Sequence, residues 1–373
     1  MHFKKILMFL QKEYTSIGGQ AVIEGVMMRS PHAFVVAVRK PDGKIRLRRD
    51  QWHSFYNKWG ILKKPFIRGI LVLIETMANG VVSLNYSANI AMEEEKRQEA
   101  LKKGKTEAEF QQEKNESEKV GWSTYLSIAI SFIFGIGLFV FLPHALTALI
   151  EKLSQAKWNL QSIEFHAIDG TIKALIFLLY IRLISFLPDV KRVFQYHGAE
   201  HKSISTFEAG EALTIENARK HPTFHPRCGT TFVFFLMFVS IILFAIIFYL
   251  IPLPTHFPKI LNHLIAMVLK VFLSFPIAGI SYELIKFLGS NPDSLVGSVL
   301  SYPGRLLQRL TTIEPDDSQL EVALASIKAV LYLEEKFDLK SQEVKTLKLE
   351  ELDFNDLSEI EASNLRLRDF LEA

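Results

Sequence analysis

FVFFLMFVSIILFAIIFYL, residues 232–250, carries no charged side chain. It is long enough to cross the hydrocarbon core of a bilayer, which takes roughly 20 mostly apolar residues as a helix. Working outward, Tyr125–Leu142 (YLSIAISFIFGIGLFVFL) is a second such segment, closed by Pro143. Ile168–Leu187 is interrupted by Asp169, Lys173 and Arg182, and Ile260–Leu288 by His263, Lys270, Pro276, Glu283 and Lys286, yet both are long enough to span. The expected fold class is a mainly α, polytopic membrane protein with four transmembrane helices. A small cytoplasmic N-terminal unit containing a β-hairpin and a C-terminal amphipathic helix complete it.

Lys and Arg distribution sets the expected orientation, because cytoplasmic loops are enriched in both. Lys191, Arg192, Lys202, Arg219, Lys220 and Arg227 crowd the stretch 189–229, and the chain before Tyr125 is also basic. The connections around 147–167 and 251–259 carry few such residues. Both termini and the His-rich loop are thus expected in the cytoplasm. The formal net charge of +3 is too small to imply nucleic-acid binding, and it divides into a basic membrane-proximal half and an acidic tail. One cysteine excludes an internal disulfide framework, so Cys228 is expected as a free thiol or thiolate.

Five regions follow: 1–62, a retained leader and a small β unit; 63–90, an amphipathic helix lying at the interface or packed in the bundle; 91–122, a charged linker; 123–302, the four-span membrane domain with its loop at 189–229; and 303–373, a helical, acidic cytoplasmic tail. In the first region Ala21–Arg29 reads as a strand, followed by Ala33–Arg39, a Lys40-Pro41-Asp42-Gly43 turn and Lys44–Arg48. Pro presets φ and Gly supplies the positive φ of a hairpin turn. So small a β unit needs other elements to bury its apolar face. In 63–90 the apolar residues Ile67, Ile70, Leu71, Ile74, Met77, Ala78 and Val81 recur at helical spacing. A crossing there would put the basic N-terminal hairpin on the wrong side. Gly104-Lys105-Thr106 lacks the first glycine of a phosphate loop and counts as linker.

The chemistry-bearing residues concentrate in YHGAEHK (196–202) and HPTFHPRCGT (221–230). His197, Glu200 and His201 form H-x-x-E-H, which on a helix puts two imidazoles on one face with a carboxylate beside them. The same order is used by inverted zinc peptidases. Pro222 and Pro226 make the second stretch a rigid loop presenting His221, His225 and Cys228. Zn²⁺ accepts N and S ligands, four in a structural site and three plus water in a catalytic one. His197, His201, His225 and Cys228 are therefore the expected metal ligands, with Glu200 as general base. His221, Glu283, Glu24 and Arg29 are further candidates. For Glu24 and Arg29 the plain alternative is a solvent-facing strand position; for Glu283 it is a pair with Lys286.

GGQAVIEGVMMR (18–29), VRKPDG (38–43), PFIRG (65–69), NYSA (85–88), YHGAEHK, HPRCGTTF (225–232), SYELIK (281–286), PGRLLQRLTTIEPDD (303–317) and LEVAL (320–324) resemble the signature blocks of the YqhQ-like family. These are bacterial multi-pass membrane proteins of unknown function, often labelled predicted metal-dependent enzymes. The resemblance implies a bacterial inner-membrane location and directs attention to His197, Glu200, His201, His225 and Cys228. It names no substrate.

After the last span, Pro303-Gly304 is expected to open a turn and Leu306–Leu310 a short amphipathic piece. Ser318–Lys336 is expected as a helix with Leu320, Ala323, Leu324, Ile327, Val330 and Leu331 on one face. The leucine-spaced acidic tail beyond Asp338 reads as a docking segment for a cytoplasmic partner or a weakly ordered end. Three functions fit. The first is a metal-dependent hydrolase acting on a lipid-linked or membrane-protein substrate. The second is a membrane assembly or scaffold factor pinned by structural zinc. The third, a small-solute transporter, is supported by Lys270 and Arg182.

Overall fold

A computed structural model describes residues 17–51, 62, 64–107, 109–110, 122–155, 158–226, 228–251, 257–290, 294–336 and 350–362. The leader before Ile17, the middle of the charged run, Arg227 and much of the acidic tail lie outside the described residues.

Strands β1 (Gly18–Val22), β2 (Gly25–Arg29), β3 (Ala33–Arg39) and β4 (Ile45–Gln51) form an antiparallel meander. Its register pairs Gly19 with Met28, Val26 with Ala37 and Val36 with Arg48. The stretch 21–29, expected as one strand, turns back at Ile23-Glu24, where Glu24 takes φ 53°. The 40–43 turn forms as expected, with Gly43 at φ 87°. A fifth strand, β5 (Glu350–Phe354), comes from the C-terminal tail and closes the open edge of β4. There Arg46 lies directly opposite Asp353 and binds it through Nε at 2.6 Å and Nη2 at 2.9 Å. This part of the tail therefore docks on its own chain, because an unpaired strand edge offers a row of free N–H and C=O groups.

Both faces of the sheet are covered, which is why β3 reads AFVVAVR without alternation. Val26, Met28, Val35, Ala37, Ile45 and Leu47 face α11 (Asp317–Lys336) and α6 (Pro188–Glu208). Val22, Met27, Phe34, Val36 and Val38 face Ile90 and Tyr86 of α1 (Ile67–Ala91). In α11 the expected apolar face is buried, and so are Val322, Ala325 and Ala329 on its other sides. The helix is wedged between sheet and α6 rather than lying amphipathic on a surface.

Helix α1 satisfies the length and composition of a membrane span. Its N-terminal end packs on α9 (Lys259–Ser290), where Gly69 meets Tyr282 and Gly279 meets Phe66. Its C-terminal half is the lid of the sheet: Ser87 Oγ accepts from the Ile23 N–H at 3.1 Å, and Arg48 sits over the Tyr86 ring. Helix α1 thus packs on both α9 and the sheet. Helix α2 (Glu93–Lys102) follows it.

Four helices are long and apolar enough to cross a membrane: α1, the run Leu126–Ser154, α8 (Gly229–Leu250) and residues Lys259–Leu288 of α9. The run Leu126–Ser154 joins α3 (Trp122–Ile136), a π-helical turn (Gly137–Phe141) and α4 (Leu142–Ser154). Pro143 was expected to end this span, but it sits in the first turn of α4, where its missing N–H is harmless, and the helix continues. The expected span Ile168–Leu187 corresponds to α5 (Ile163–Ile184), which meets the test only jointly with α6, across a bend of 102°. Asp169, Lys173 and Arg182 are the reason; α5 is nonetheless packed among α4 and α8. Leu126, Ile130, Phe132, Ile133, Leu175, Leu179, Ile242, Ile246, Leu264 and Phe272 point outward and exposed, an apolar surface that belongs against lipid. These helices point to a membrane protein.

Two further expectations are corrected. The His-rich loop 189–229 is mostly helix: α6, then α7 (Ile215–Lys220), with 209–214 and the described residues of 221–228 irregular. Pro303-Gly304 opens no turn but lies inside α10 (Leu295–Thr311), where Gly304 lets the helix close on Thr231 of α8. Helix α12 (Leu357–Ala362) ends the described chain.

Candidate metal centre

YHGAEHK folds as the middle of α6, so His197 and His201 share a face one turn apart. Each neighbour has its own local role. Ala199 and Tyr196 are buried against the sheet and α11. At Gly198 a Cβ would run into the carbonyl of Ile313, so the close approach of α6 to the 312–316 segment requires glycine. Lys202 is buried and its ammonium donates to the carbonyls of Arg219, at 3.1 Å, and His221, at 2.7 Å. It thereby fastens the end of α7 to α6.

The second stretch is held by α10. Gln308 Oε1 accepts from the His225 N–H at 2.9 Å, while its Nε2 donates to the His225 carbonyl at 2.8 Å and to Thr231 Oγ1 at 3.0 Å. Cys228 then sits as the N-cap of α8, its Sγ accepting from the Thr230 N–H. Gln308 fixes the loop on both sides of His225.

These two supports bring His197, His201 and Cys228 together: one donor atom from each lies within 4.8 Å of the others. His197 Nε2 is 3.2 Å from Cys228 Sγ. The other ring nitrogens face backbone carbonyls, His197 Nδ1 that of Thr311 at 2.8 Å and His201 Nδ1 that of Thr223 at 2.6 Å. A carbonyl can only accept, so both imidazoles carry their proton on Nδ1 and keep an Nε2 lone pair. That is the outer-shell arrangement by which proteins orient metal-binding histidines. Burial holds His201 below the ordinary imidazole range, with the Cys228 sulfur opposing, so it is neutral and able to ligate. Two nitrogens and a sulfur suit Zn²⁺ and leave a fourth position open. The donor set fits that ion.

His225 is close but does not join the three. Its ring centroid lies 5.7 Å from that of His201, and its Nε2 is 3.2 Å from Glu208 Oε2. Glu200 is buried next to the cluster on the β1 side, where its carboxylate accepts from the Gly19 N–H. A Cβ at Gly19 would come within 2.9 Å of Glu200 Cγ, so the glycine makes room for the carboxylate. Burial pushes Glu200 above the usual carboxylate range, while His197, His225 and the Gly19 N–H pull it back.

The remaining candidates are engaged elsewhere. His221 pairs with Glu211 at 3.0 Å. Glu24 pairs with Arg192 and receives the Tyr196 hydroxyl at 3.4 Å. Arg29 reaches Thr76 on α1. Glu283 binds neither metal ligand nor Lys286 here but Arg68, whose Nε donates at 2.8 Å, anchoring α1 on α9. Sequence reasoning missed Gln308, Glu208, Thr223 and Thr311. Gln308 is a polar residue on an apolar face and gave a weak signal; the two threonines act through backbone carbonyls and gave none.

The fold and the cluster define a class: helical membrane proteins carrying a His–His–Cys cluster beside a covered antiparallel sheet. Residues 64–333 match the family model described as DUF1385, protein of unknown function. The chain is also 36% identical to the uncharacterized protein YqhQ of Bacillus subtilis (strain 168) over 323 residues, 85% of this chain and 92% of that one. The chain belongs to this DUF1385, YqhQ-like family. No solved structure matches it.

Proposed function

We propose that this chain is a bacterial plasma-membrane protein whose His197, His201 and Cys228 hold a divalent ion, Zn²⁺ by donor type, and that it is a hydrolase acting on a membrane-associated substrate. The observation that carries the reading is the tautomer lock: two carbonyls, from Thr223 and Thr311, fix both Nε2 lone pairs beside the sulfur. Zn²⁺ at such a site would polarise a carbonyl or phosphoryl oxygen and bring the pKa of water to about 7. The protein supplies the rest. Glu200, buried and with its pKa raised by desolvation, is the carboxylate available to take and return a proton as a general base. His225, with Glu208 behind it, offers a second proton-carrying group. The basic residues of 189–229 support a cytoplasmic position for this end.

One observation favours a non-catalytic alternative, an assembly or scaffold factor with structural zinc: His201 and Cys228 are buried, and the His225 ring lies beside His201, where a fourth donor would close the site. Metal analysis of the purified full chain, with Glu200→Gln and His201→Ala, separates the readings. Hydrolase function predicts near-stoichiometric zinc in wild type and Glu200→Gln, and loss in His201→Ala. Hydrolysis of lipid-linked or membrane-peptide substrates should fall by about 10²-fold or more in Glu200→Gln. Unchanged turnover in Glu200→Gln with zinc retained would leave the structural role, and wild type without zinc would end both.

A further inference from the structure

The most costly polar arrangement in the molecule lies away from the metal cluster, inside the apolar helices. Lys270 on α9 and Asp169 on α5 are each 1% exposed and paired at 2.8 Å. His144 on α4, equally buried, lies 3.2 Å from the Lys270 ammonium through Nδ1 and 3.0 Å from His263 Nδ1 through Nε2. His263 is half-buried and stands nearer the start of α9, where Lys259 pairs with Glu151 of α4. The result is an unbroken line of exchangeable protons from half-buried His263, near the start of α9, to a buried carboxylate. Along α9, His263 to Lys270 covers about 10 Å, a third of a core about 30 Å thick.

Two observations indicate that the line serves a ligand rather than packing. Asp169 Oδ1 is buried with no hydrogen-bond partner among the described residues, and so is His166 Nδ1. His166 gives its Nε2 proton to the Leu160 carbonyl at 2.9 Å, so both orphan atoms are acceptors awaiting a proton. An unsatisfied buried acceptor costs on the order of 1–3 kcal/mol, and ionisable groups within membrane helices mark ion and proton pathways. The surroundings otherwise seal the pair: Lys270 lies over the rings of Phe165 and Phe244, and His166 stacks on Phe248. Helix α8 and the π-helical turn bring no charge to it. Beyond Phe244 the next ionisable group is Lys173 of α5, a cation that repels a travelling proton.

We propose that His263, His144 and Lys270 form a proton path entering the helix bundle from the end near residues 257–259 and stopping at Asp169, a one-sided proton-binding site within the membrane. Lys270 passes one N–H proton to the Asp169 carboxylate. With Lys270 then an amine, His144 and His263 turn to their Nδ1–H tautomers: His144 gives its Nδ1 proton to Lys270, His263 gives its Nδ1 proton to His144 Nε2, and His263 Nε2 takes one from the solution. The sum is one proton gained, with Asp169 neutral and Lys270 again an ammonium. The inference uses the membrane reading of these helices and is independent of the metal cluster.

The test uses the full chain in phosphatidylcholine–phosphatidylglycerol vesicles on a solid-supported membrane, stepped from about pH 7.5 to about pH 4, low enough to load buried groups whose charged forms desolvation disfavours. Wild type should give a transient displacement current that decays to zero, because the proton moves part-way through the membrane and stops. Asp169→Asn should abolish it. His263→Phe leaves the buried pair in place and should slow the transient about tenfold or more, the order expected for losing a positioned proton carrier. Should Asp169→Asn fail to fold, His263→Phe still decides. Absence of a wild-type transient, a sustained current, or a His263→Phe transient as fast as wild type would each overturn the proposal.

Discussion

His197 Nε2 and Cys228 Sγ lie 3.2 Å apart although 31 residues separate them in sequence. The distance is set by neither residue's own element alone. Helix α6 aims the imidazole, the Thr311 carbonyl rotates it, and Gln308 of α10 holds the loop that delivers the thiol.

Gln308→Ala should therefore weaken the centre without touching a ligand. It strands the His225 N–H and carbonyl, each buried polar group costing about 1–3 kcal/mol. Zinc affinity, measured by competition with a chromogenic chelator, should drop roughly 10–100-fold, as for outer-shell changes. Affinity equal to wild type would show that the loop is held by other contacts.

Glu200→Gln should stabilise the zinc-free protein at neutral pH. Burial raises the folded pKa of Glu200 above its ordinary value of 4.5, so the folded state binds the proton more tightly. Its contribution is fully present below pH 4.5 and lost as pH rises through the folded value. Glutamine still accepts from the Gly19 N–H. Thermal unfolding in detergent should thus separate variant from wild type at pH 7 and bring them together near pH 4. A constant gap across that range would contradict the buried-carboxylate account.

His201 has the opposite sign. Burial depresses its folded pKa below 6.5, so its neutral form favours folding above that value and stability falls as pH drops below it. Zinc loading should follow the same direction, persisting somewhat below pH 6.5 before protons displace the ion. Release of zinc already above pH 7 would be inconsistent with a depressed imidazole.

Gly198→Ala should be disproportionately damaging for one methyl group. The new Cβ meets the Ile313 carbonyl and forces α6 away from the 312–316 segment, an overpacking cost of about 1–3 kcal/mol. Detergent-phase unfolding and zinc content should fall together, since the shift also moves His197. A neutral Gly198→Ala would mean that the segment yields freely.

Arg46→Ala should release β5. Arg46 is the main reason that Asp353 is held down to about 2, and a depressed carboxylate stabilises docking above about pH 3.8 and loses that contribution as pH falls through about 2. Backbone amides of 350–354 should exchange faster in Arg46→Ala than in wild type at neutral pH. Equal protection would show that the strand ladder alone holds the tail.

The sequence by itself determined three of the long apolar helices, the 40–43 turn and the two segments that bring His197, His201 and Cys228 together, because each is written in local periodicity or residue type. Long apolar runs need no partner to declare themselves, and H-x-x-E-H places its imidazoles together on any helix. It did not contain the covered sheet with a fifth strand from the tail, the continuation of α4 through Pro143, or the grouping of His197, His201 and Cys228 apart from the other candidates. Those depend on which surfaces meet. Glu283 and Glu24 were turned away from chemistry by Arg68 and Arg192, and His225 was held beside Glu208, through contacts between residues far apart in the chain. Side-chain type states what an atom can bind; only the packed backbone decides which atom it is near.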